Sequence, residues 1–315
     1  MGRATIGRMG WRSTTSVDVF LAEAGEFLRA EPARNTVILT FTEQLRRTAA
    51  GPGGADGPPL FGWWRPDSAR TEIRGAFMHT PGFPAFLSSM SRQAAKALAE
   101  TLAAARPRIP GVNGEAETAE TFATRWRHLT GESATVRSRT RLFRLGQLVR
   151  PEPAPSGMAR VAGQRDRKLL IEWFEAFALE VDNEAGGDYA ALVDGRLSFG
   201  GITIWEADGA VVSIAGRSRV SAGMARIGPV YTPPALRGHG YAGAVTAAAS
   251  QAARDAGATE VVLYTDLANP TSNALYQRLG YRPVHDRVTL HFPRGDTPLA
   301  PGSQPIPRSG PVGTG

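Results

Sequence analysis

Hydrophobic positions along the chain follow helical spacing in some segments and strand spacing in others, which predicts a mixed α/β protein. Five segments with apolar residues on one helical face are predicted as helices: 17–30, 91–106, 116–129, 166–181 and 241–256. Short apolar runs rich in β-branched and aromatic residues are predicted as strands: 35–41, 59–64, 72–80, 135–145, 224–231, 260–265, 281–284 and 286–292. Two Asp-Gly pairs, Asp194-Gly195 and Asp208-Gly209, indicate hairpin turns between further strands in the region 189–216.

The segment 151–157, with the sequence PEPAPSG, is the clearest boundary along the chain. Three prolines and a glycine favour irregular backbone, so we expect a linker here. It divides an N-terminal α/β domain at 1–150 from a second domain at 158–295. The Pro/Gly-rich tail 296–315 is predicted to be disordered. The order of elements in the second domain predicts antiparallel strands followed by strand–helix–strand units.

Composition excludes several kinds of chemistry. A chain of 315 residues is longer than most domains with a single hydrophobic core, so we expect two domains. There is no cysteine, and the five histidines show no metal-ligand spacing, so we expect no metal site. No apolar leader or long apolar run is present, which predicts a cytoplasmic protein that does not span a membrane.

The net charge of +7 would suit a nucleic-acid partner, but its distribution weakens that interpretation. The excess of basic residues lies in 1–150, and the densest run places Arg137, Arg139 and Arg141 at alternate positions of a predicted strand. One solvated strand face explains this pattern, so nucleic acid is an unlikely partner.

A glycine-rich turn at 237–243 opens the helix that follows strand 224–231. Its sequence, RGHGYAG, fits the glycine patterns of dinucleotide-binding folds and of kinases, and also R-x-x-G-x-A. The dinucleotide pattern fails because Pro233 and Pro234 separate strand and turn, and because Asp266 lies beyond the about 20 positions at which an acidic residue holds the ribose. The kinase pattern fails because no lysine follows Lys168.

Arg237, Gly240 and Ala242 supply the remaining pattern, R-x-x-G-x-A. With the preceding strand and the segment YTDLANPTSNALYQRLGY at 264–281, the chain resembles the GNAT superfamily of acyl-CoA N-acyltransferases over roughly 156–295. The resemblance implies a mixed, mostly antiparallel twisted sheet flanked by helices. It also resembles two-domain members whose N-terminal half is GNAT-like but degenerate and lacks the cofactor turn.

The resemblance implies acetyl-CoA as the acyl donor. Backbone N–H groups at the start of a helix, with glycines that let a phosphate approach, suit its pyrophosphate. The residues implied to bind the cofactor are Val230, Tyr231, Thr232, Arg237, Gly238, His239, Gly240, Tyr241, Ala242, Gly243, Asn269 and Asn273. Asn269 precedes Pro270, an arrangement that also predicts a helix N-cap.

Tyr276 matches the tyrosine that protonates the departing thiolate in this superfamily. A phenol with a reference pKa of about 10 can donate a proton and stays neutral at pH 7. Strand 223–231 carries no acidic residue, so the general base is left open between Asp266, Glu206 and a water chain.

The predicted function is therefore direct acetyl transfer to a primary amine, with a small-molecule acceptor. The alternative is a catalytically silent protein that binds acyl-CoA as a sensor.

Overall fold

The computed structural model describes residues 5–6, 10–47, 57–66, 72–105, 108–182, 188–293 and 308–309. The expected disordered tail falls outside these residues except at 308–309. The chain divides into two compact units, 1–139 with 286–300 and 140–285 with 301–315. No helix among the described residues is long and apolar enough to cross a membrane.

The described residues of the first unit form helices and strands that follow one another along the chain. Its elements are β1 Thr5–Ile6, β2 Trp11–Thr14, α1 Val17–Ala30, α2 Thr36–Arg47, β3 Leu60–Trp64, β4 Gly75–His79, β5 Ala85–Leu87, α3 Arg92–Ala105, β6 Gly111–Glu115 and α4 Ala116–Thr130. Strands β2 to β5 pair antiparallel in chain order, and β5 and β6 pair parallel.

The second unit carries the glycine-rich turn. After β7 Thr135–Leu145, its elements are β8 Met158–Val161, α5 Arg167–Asp182, α6 Tyr189–Leu197, β9 Ile202–Ala207, β10 Ala210–Arg217, β11 Met224–Tyr231, α7 Tyr241–Asp255, β12 Glu260–Asp266, α8 Pro270–Arg278, β13 Tyr281–His291 and β14 Arg308–Ser309. The division between the units falls within β7 and β13.

The strand pairing in the second unit is antiparallel except at its centre. Strands β8, β9, β10 and β11 form a meander, and β11 pairs parallel with β12. Strand β12 pairs antiparallel with β7 on its other edge. One core cluster packs beneath α7 and α8, and another packs beneath α5 and α6. These observations confirm the prediction of a mixed, mostly antiparallel sheet flanked by helices.

Two element predictions are wrong. The segment 35–41, predicted as a strand, lies in and just before α2. The buried residues of α2 follow helical spacing as far as residue 45: Ile38, Leu39, Thr42 and Leu45. This spacing outweighs the strand preference of the short β-branched run.

The hairpin predicted at Asp194-Gly195 is also absent, because both residues lie in α6. The Asp194 carboxylate accepts hydrogen bonds of 2.6 and 2.8 Å from Arg167 of α5, a tertiary contact that supports the helix. The second hairpin prediction is confirmed. Asp208 and Gly209 both have positive φ and join β9 to β10, with Ala207 opposite Ala210.

The Pro-rich segment 151–157 is packed against the second unit. Trp205 Nε1 donates to Ser156 O at 2.8 Å. A Cβ added at Gly240 would lie 3.8 Å from Pro155, and one added at Gly243 would lie 3.4 Å from Pro151. The division into domains at this segment stays a prediction. Proline content predicts irregular backbone but does not tell whether that backbone is docked.

His79 makes the stability of the first unit depend on pH. The side chain is 3% exposed, and burial lowers its pKa from 6.5 to about 4. The unfolded chain therefore binds a proton that the folded chain excludes, so stability is lost as pH falls from about 6.5 to about 4. We expect His79 to account for a loss of about 2 kcal/mol between pH 7.5 and pH 5.

Urea unfolding of the wild type and of His79→Gln at both pH values measures this loss. The variant should be about 2 kcal/mol less sensitive to the pH change. His128→Gln is the matched control, since it replaces an exposed histidine of α4. An identical pH dependence in the wild type and in His79→Gln would contradict the assignment.

Candidate active site

A bulge in β11 produces the opening at the centre of the second unit. Between β10 and β11, Ala215 pairs with Val230 while Arg217 pairs with Ile227, so β11 carries one extra residue over this interval. The extra residue lies at Gly228–Pro229. A bulge of this kind reverses the side-chain alternation along a strand. Ile227 and Val230 consequently face the same core cluster, beneath α7 and α8.

Strand β11 separates from β12 beyond this bulge. Their parallel pairing ends at Ile227 opposite Leu263, while β12 continues to Asp266. On the edge of β12 that β11 leaves, Tyr264 and Thr265 pair with the two-residue strand β14, so this edge accepts an extended segment. The backbone of 228–231 thus borders an opening within the sheet.

The glycine-rich turn brings unpaired backbone N–H groups to the start of α7. Gly240 is the N-cap in a left-handed conformation with φ of 78°, and Gly238 is also left-handed with φ of 83°. The first intrahelical bond is donated by Ala244 N to Gly240 O, so the N–H groups of 241–243 have no acceptor within the helix. His239 stacks on Tyr241 with ring centroids 5.5 Å apart, and its Nδ1 lies 2.8 Å from Arg237 O.

Arg237 is tied to α5 by an ion pair. Its Nη2 donates to Glu180 Oε2 at 2.6 Å, and its Nε donates to Thr232 O at 2.9 Å. The other carboxylate oxygen of Glu180 accepts from the Tyr231 hydroxyl at 3.3 Å. Burial first, and then the charge of Glu180, raise the pKa of Tyr231. The sequence analysis missed Glu180, because its position on α5 gives no sign of contact with residues more than fifty positions away.

Asn269 and Asn273 organise the start of α8. Asn269 Oδ1 accepts from Ser272 N at 3.0 Å, which confirms the predicted N-cap. Asn273 Nδ2 donates to the backbone oxygens of Asp266 and Asn269 at 2.8 and 2.7 Å. The Asn273 amide thus joins the end of β12 to α8, while the Asn269 amide caps the helix itself.

Tyr276 lies on the same side of β11 as Val230. It is fully buried in the core cluster that also contains Val230 and Ala242, and its ring meets that of Tyr281 edge-on at 6.1 Å. Tyr231 belongs to the opposite cluster beneath α5 and α6. Of the predicted residues, Val230, Ala242 and Tyr276 therefore share one side of β11, while the Tyr231 side chain and its partner Glu180 lie on the other.

Two of the acids considered for the general base are engaged elsewhere. Glu206 accepts a hydrogen bond from Arg160, and Asp266 Oδ1 accepts from Ala268 N at 2.8 Å in the turn before α8. Among the described residues, no group of three or more histidine, aspartate and glutamate side chains could hold a metal ion.

Comparisons with known proteins agree with this geometry. The family model described as "Acetyltransferase (GNAT) family" matches residues 165–281, the part of the chain that contains the opening, the turn and α8. A search of curated proteins returned no match.

Solved structures extend the likeness to both units. An acetyltransferase of the GNAT family from Colwellia psychrerythraea is 12% identical with a TM-score of 0.54, and the alignment covers 87% of this chain and 97% of that one. A GCN5-related N-acetyltransferase from Sphaerobacter thermophilus is 17% identical with a TM-score of 0.56, over 94% and 97% of the two chains. A Drosophila protein is 14% identical with a TM-score of 0.61, over 89% and 96%.

At these identities the structures show the fold alone. Their coverage includes the N-terminal half, which is consistent with a second related domain, whereas the degeneracy of that half stays a prediction. The family implies acyl transfer from acyl-CoA. The family model and the shared fold together establish that this chain contains a GNAT acetyltransferase domain at residues 165–281.

Proposed function

We propose that the chain transfers an acetyl group from acetyl-CoA directly to a primary amine of a small molecule. The observation that carries this proposal is the separation of β11 from β12 beside the turn at 238–243. An extended cofactor arm fits this place, because its amides can hydrogen-bond to strand edges as the short strand β14 does with β12. Tyr276 and Glu180 lie on opposite sides of β11 and can act on different reactants.

The cofactor occupies the opening on the side of α7 and α8. The backbone of Val230, Tyr231 and Thr232 pairs with the pantetheine amides, although the Thr232 carbonyl already accepts from Arg237. The N–H groups of 238–243 take the pyrophosphate at the positive end of the α7 dipole. Arg237, His239, Asn269 and Asn273 border this cofactor. Because Asn269 Oδ1 caps α8, its Nδ2 is the group that contacts the cofactor.

The transfer needs no covalent enzyme intermediate. The neutral amine attacks the thioester carbonyl, and a backbone N–H near Val230 or Tyr231 stabilises the developing oxyanion. The carbon–sulfur bond then breaks, and Tyr276 protonates the thiolate. We assign the proton released by the amine to Glu180, beside the Tyr231 hydroxyl. Exchange with solvent restores both side chains, and the products are the acetamide and the free thiol of CoA.

Thiol release from acetyl-CoA against a panel of primary amines tests the proposal, together with calorimetric titration of acetyl-CoA. We expect micromolar to millimolar binding and acceptor-dependent thiol release. Binding without turnover on any amine would instead favour the silent sensor. Failure to bind any acyl-CoA would contradict both.

Glu180→Gln should lower kcat/KM for the amine about a hundredfold at pH 7, because the neutral amide cannot accept the proton. The KM for acetyl-CoA should change less than about twofold, since Glu180 lies on the opposite side of β11 from the cofactor's thioester. Steady-state kinetics with each substrate varied in turn give both values.

Arg237→Met is the matched control for Glu180→Gln. It removes the same ion pair at 2.6 Å but keeps the carboxylate. If Glu180 accepts the proton, Arg237→Met raises the KM for acetyl-CoA and largely retains kcat. Equal losses of kcat in the two variants would mean that Glu180 serves only to hold Arg237.

A further inference from the structure

Two half-buried arginines with enclosed Nη1 atoms lie beneath α6 in the second unit and have no role in the chemistry described above. Arg226 is on β11, and Arg196 is near the end of α6. Arg226 follows Ala225 and precedes Ile227, both of which pack under α7 and α8, so its side chain lies on the opposite face. We call Arg196 and Arg226 the arginine pair.

Neither arginine forms an ion pair with a described residue. Arg196 Nη2 donates to Gly228 O at 3.2 Å, and its guanidinium lies 5.3 Å from the centre of the Phe174 ring. Arg196 Nη1 and Arg226 Nη1 are buried, and no described protein group accepts a hydrogen bond from them. Arg226 bonds to Ser218 through its backbone: Arg226 N donates to Ser218 Oγ, and Ser218 N donates to Arg226 O.

Guanidinium groups with enclosed, unpartnered nitrogen atoms are costly unless an anion joins them. Burial first, and then the charge of Arg226, lower the pKa of Arg196 to about 10. Burial likewise lowers the pKa of Arg226. A guanidinium is charged at pH 7 in proteins, so the pair carries two positive charges. A guanidinium presents a planar fork of donors that matches a carboxylate or a phosphate.

The arginine pair is close to the proposed site of transfer. Arg196 donates to Gly228, in the bulge of β11, and Gly228 precedes Tyr231 by three residues, or about 10 Å of strand. Tyr231 and Phe174 belong to the same core cluster beneath α5 and α6. The proposed base Glu180 contacts Tyr231 on this face, so the proposed function places the acceptor here, whereas the turn assigned to the pyrophosphate starts α7 on the other face. An anion held here belongs to the acceptor and not to the cofactor.

We propose that Arg196 and Arg226 bind an anionic group, a carboxylate or a phosphate, carried by the amine that this enzyme acetylates. The inference rests on the proposed function and narrows its acceptor to amines that bear a negative charge within about 10 Å of the nitrogen.

Paired acceptors that differ only in the anion test this inference. Amino acids of increasing chain length are compared with their carboxamides, and phosphoethanolamine is compared with ethanolamine. We expect the wild type to prefer an anionic member by at least about tenfold in kcat/KM. A preference for amino acids over their carboxamides would identify a carboxylate as the bound anion, and a preference for phosphoethanolamine over ethanolamine would identify a phosphate. In Arg226→Met and Arg196→Met the preference should fall to about onefold, while the KM for acetyl-CoA is unchanged.

Arg219→Met is the matched control. Arg219 is an exposed arginine that stacks on Phe199 at 4.2 Å, and its replacement should leave the preference intact. Equal use of charged and neutral amines by the wild type would overturn the inference while acetyl transfer stands. Equal losses on charged and neutral amines in Arg226→Met would also overturn it.

The melting temperature of the protein tests anion binding by the arginine pair independently of turnover. Inorganic phosphate should raise the Tm of the wild type but not that of Arg226→Met. Without phosphate, Arg226→Met should be at least as stable as the wild type, because it removes an uncompensated buried charge. Phosphate stabilisation without transfer to any amine would retain the anion site and reject the proposed function. A destabilised variant together with no effect of phosphate would show that the pair is structural.

Discussion

Replacing Tyr276 by phenylalanine should lower kcat by at least about a hundredfold, because a positioned general acid typically contributes 10²–10⁴-fold. The fully buried ring keeps its packing against Tyr281 in the variant, so only the hydroxyl is lost. The KM for acetyl-CoA should remain within about twofold, since the proton is given only as the carbon–sulfur bond breaks. Single-turnover measurement of thiol release reports the chemical step directly.

Tyr281→Phe provides a closely matched control. Tyr281 is equally buried in the same core cluster, and its hydroxyl lies 2.7 Å from Ser250 Oγ. Burial raises the pKa of Tyr281. Its replacement should cost about 1 kcal/mol of stability and leave kcat nearly unchanged. Full kcat in Tyr276→Phe, or the same loss of kcat in both variants, would contradict the role assigned to Tyr276.

Replacing Gly280 by alanine should destabilise the second unit by more than about 3 kcal/mol. Gly280 follows α8 with φ of 95°, and a Cβ there would lie 1.8 Å from the backbone oxygen of Gln147. The neighbouring backbone is fixed, since Gly146 N donates to Gly280 O and Val149 N donates to Leu279 O, both at 3.0 Å. Urea or thermal unfolding of the two proteins measures the loss.

Gly257→Ala separates the steric cost from the conformational cost. Gly257 follows α7 with φ of 92°, but nothing lies within 4 Å of a Cβ added there. This variant should lose only about 1–2 kcal/mol, the cost of a left-handed alanine. Equal losses at 257 and 280 would show that the contact with Gln147 relaxes without penalty.

These two glycines also show what the sequence could predict. A glycine at the end of an amphipathic segment indicates a left-handed residue after the helix, and both positions have that conformation. The N-cap at Asn269 and the hairpin at Asp208-Gly209 were predictable for the same reason, because local backbone geometry determines them. The close approach of Gln147 to Gly280 could not be predicted from the sequence, because Gln147 lies more than a hundred residues away along the chain.

Predictions failed where a tertiary contact or a longer pattern overrides a short signal. The β-branched run at 35–41 becomes part of a helix whose buried face extends to Leu45. Asp194 and Gly195 lie in a helix because Arg167 holds the aspartate from α5. In each case a window of two to seven residues was too short to reveal the context that decides the structure.

The residues of the candidate site also differ in whether local sequence or long-range contacts determine them. The R-x-x-G-x-A pattern and Tyr276 are local signals that the chain carries in its sequence. The contact of Glu180 with Arg237 and Tyr231, and the arginine pair beneath α6, arise only when distant segments meet. The acceptor side of the site therefore needed the folded structure.

The separation of β11 from β12 has a consequence for the protein before it binds any cofactor. Beyond Leu263 this edge of β12 pairs, among the described residues, with the two-residue strand β14 alone, and an edge covered by so short a strand readily recruits other extended chains. A ligand that adds to this edge acts as a missing strand, so folding and cofactor binding become thermodynamically linked. At a concentration of one hundred times its Kd, such a ligand adds about 2.7 kcal/mol to the free energy of unfolding. The cellular supply of acyl-CoA would then set how long each molecule survives unfolding and proteolysis.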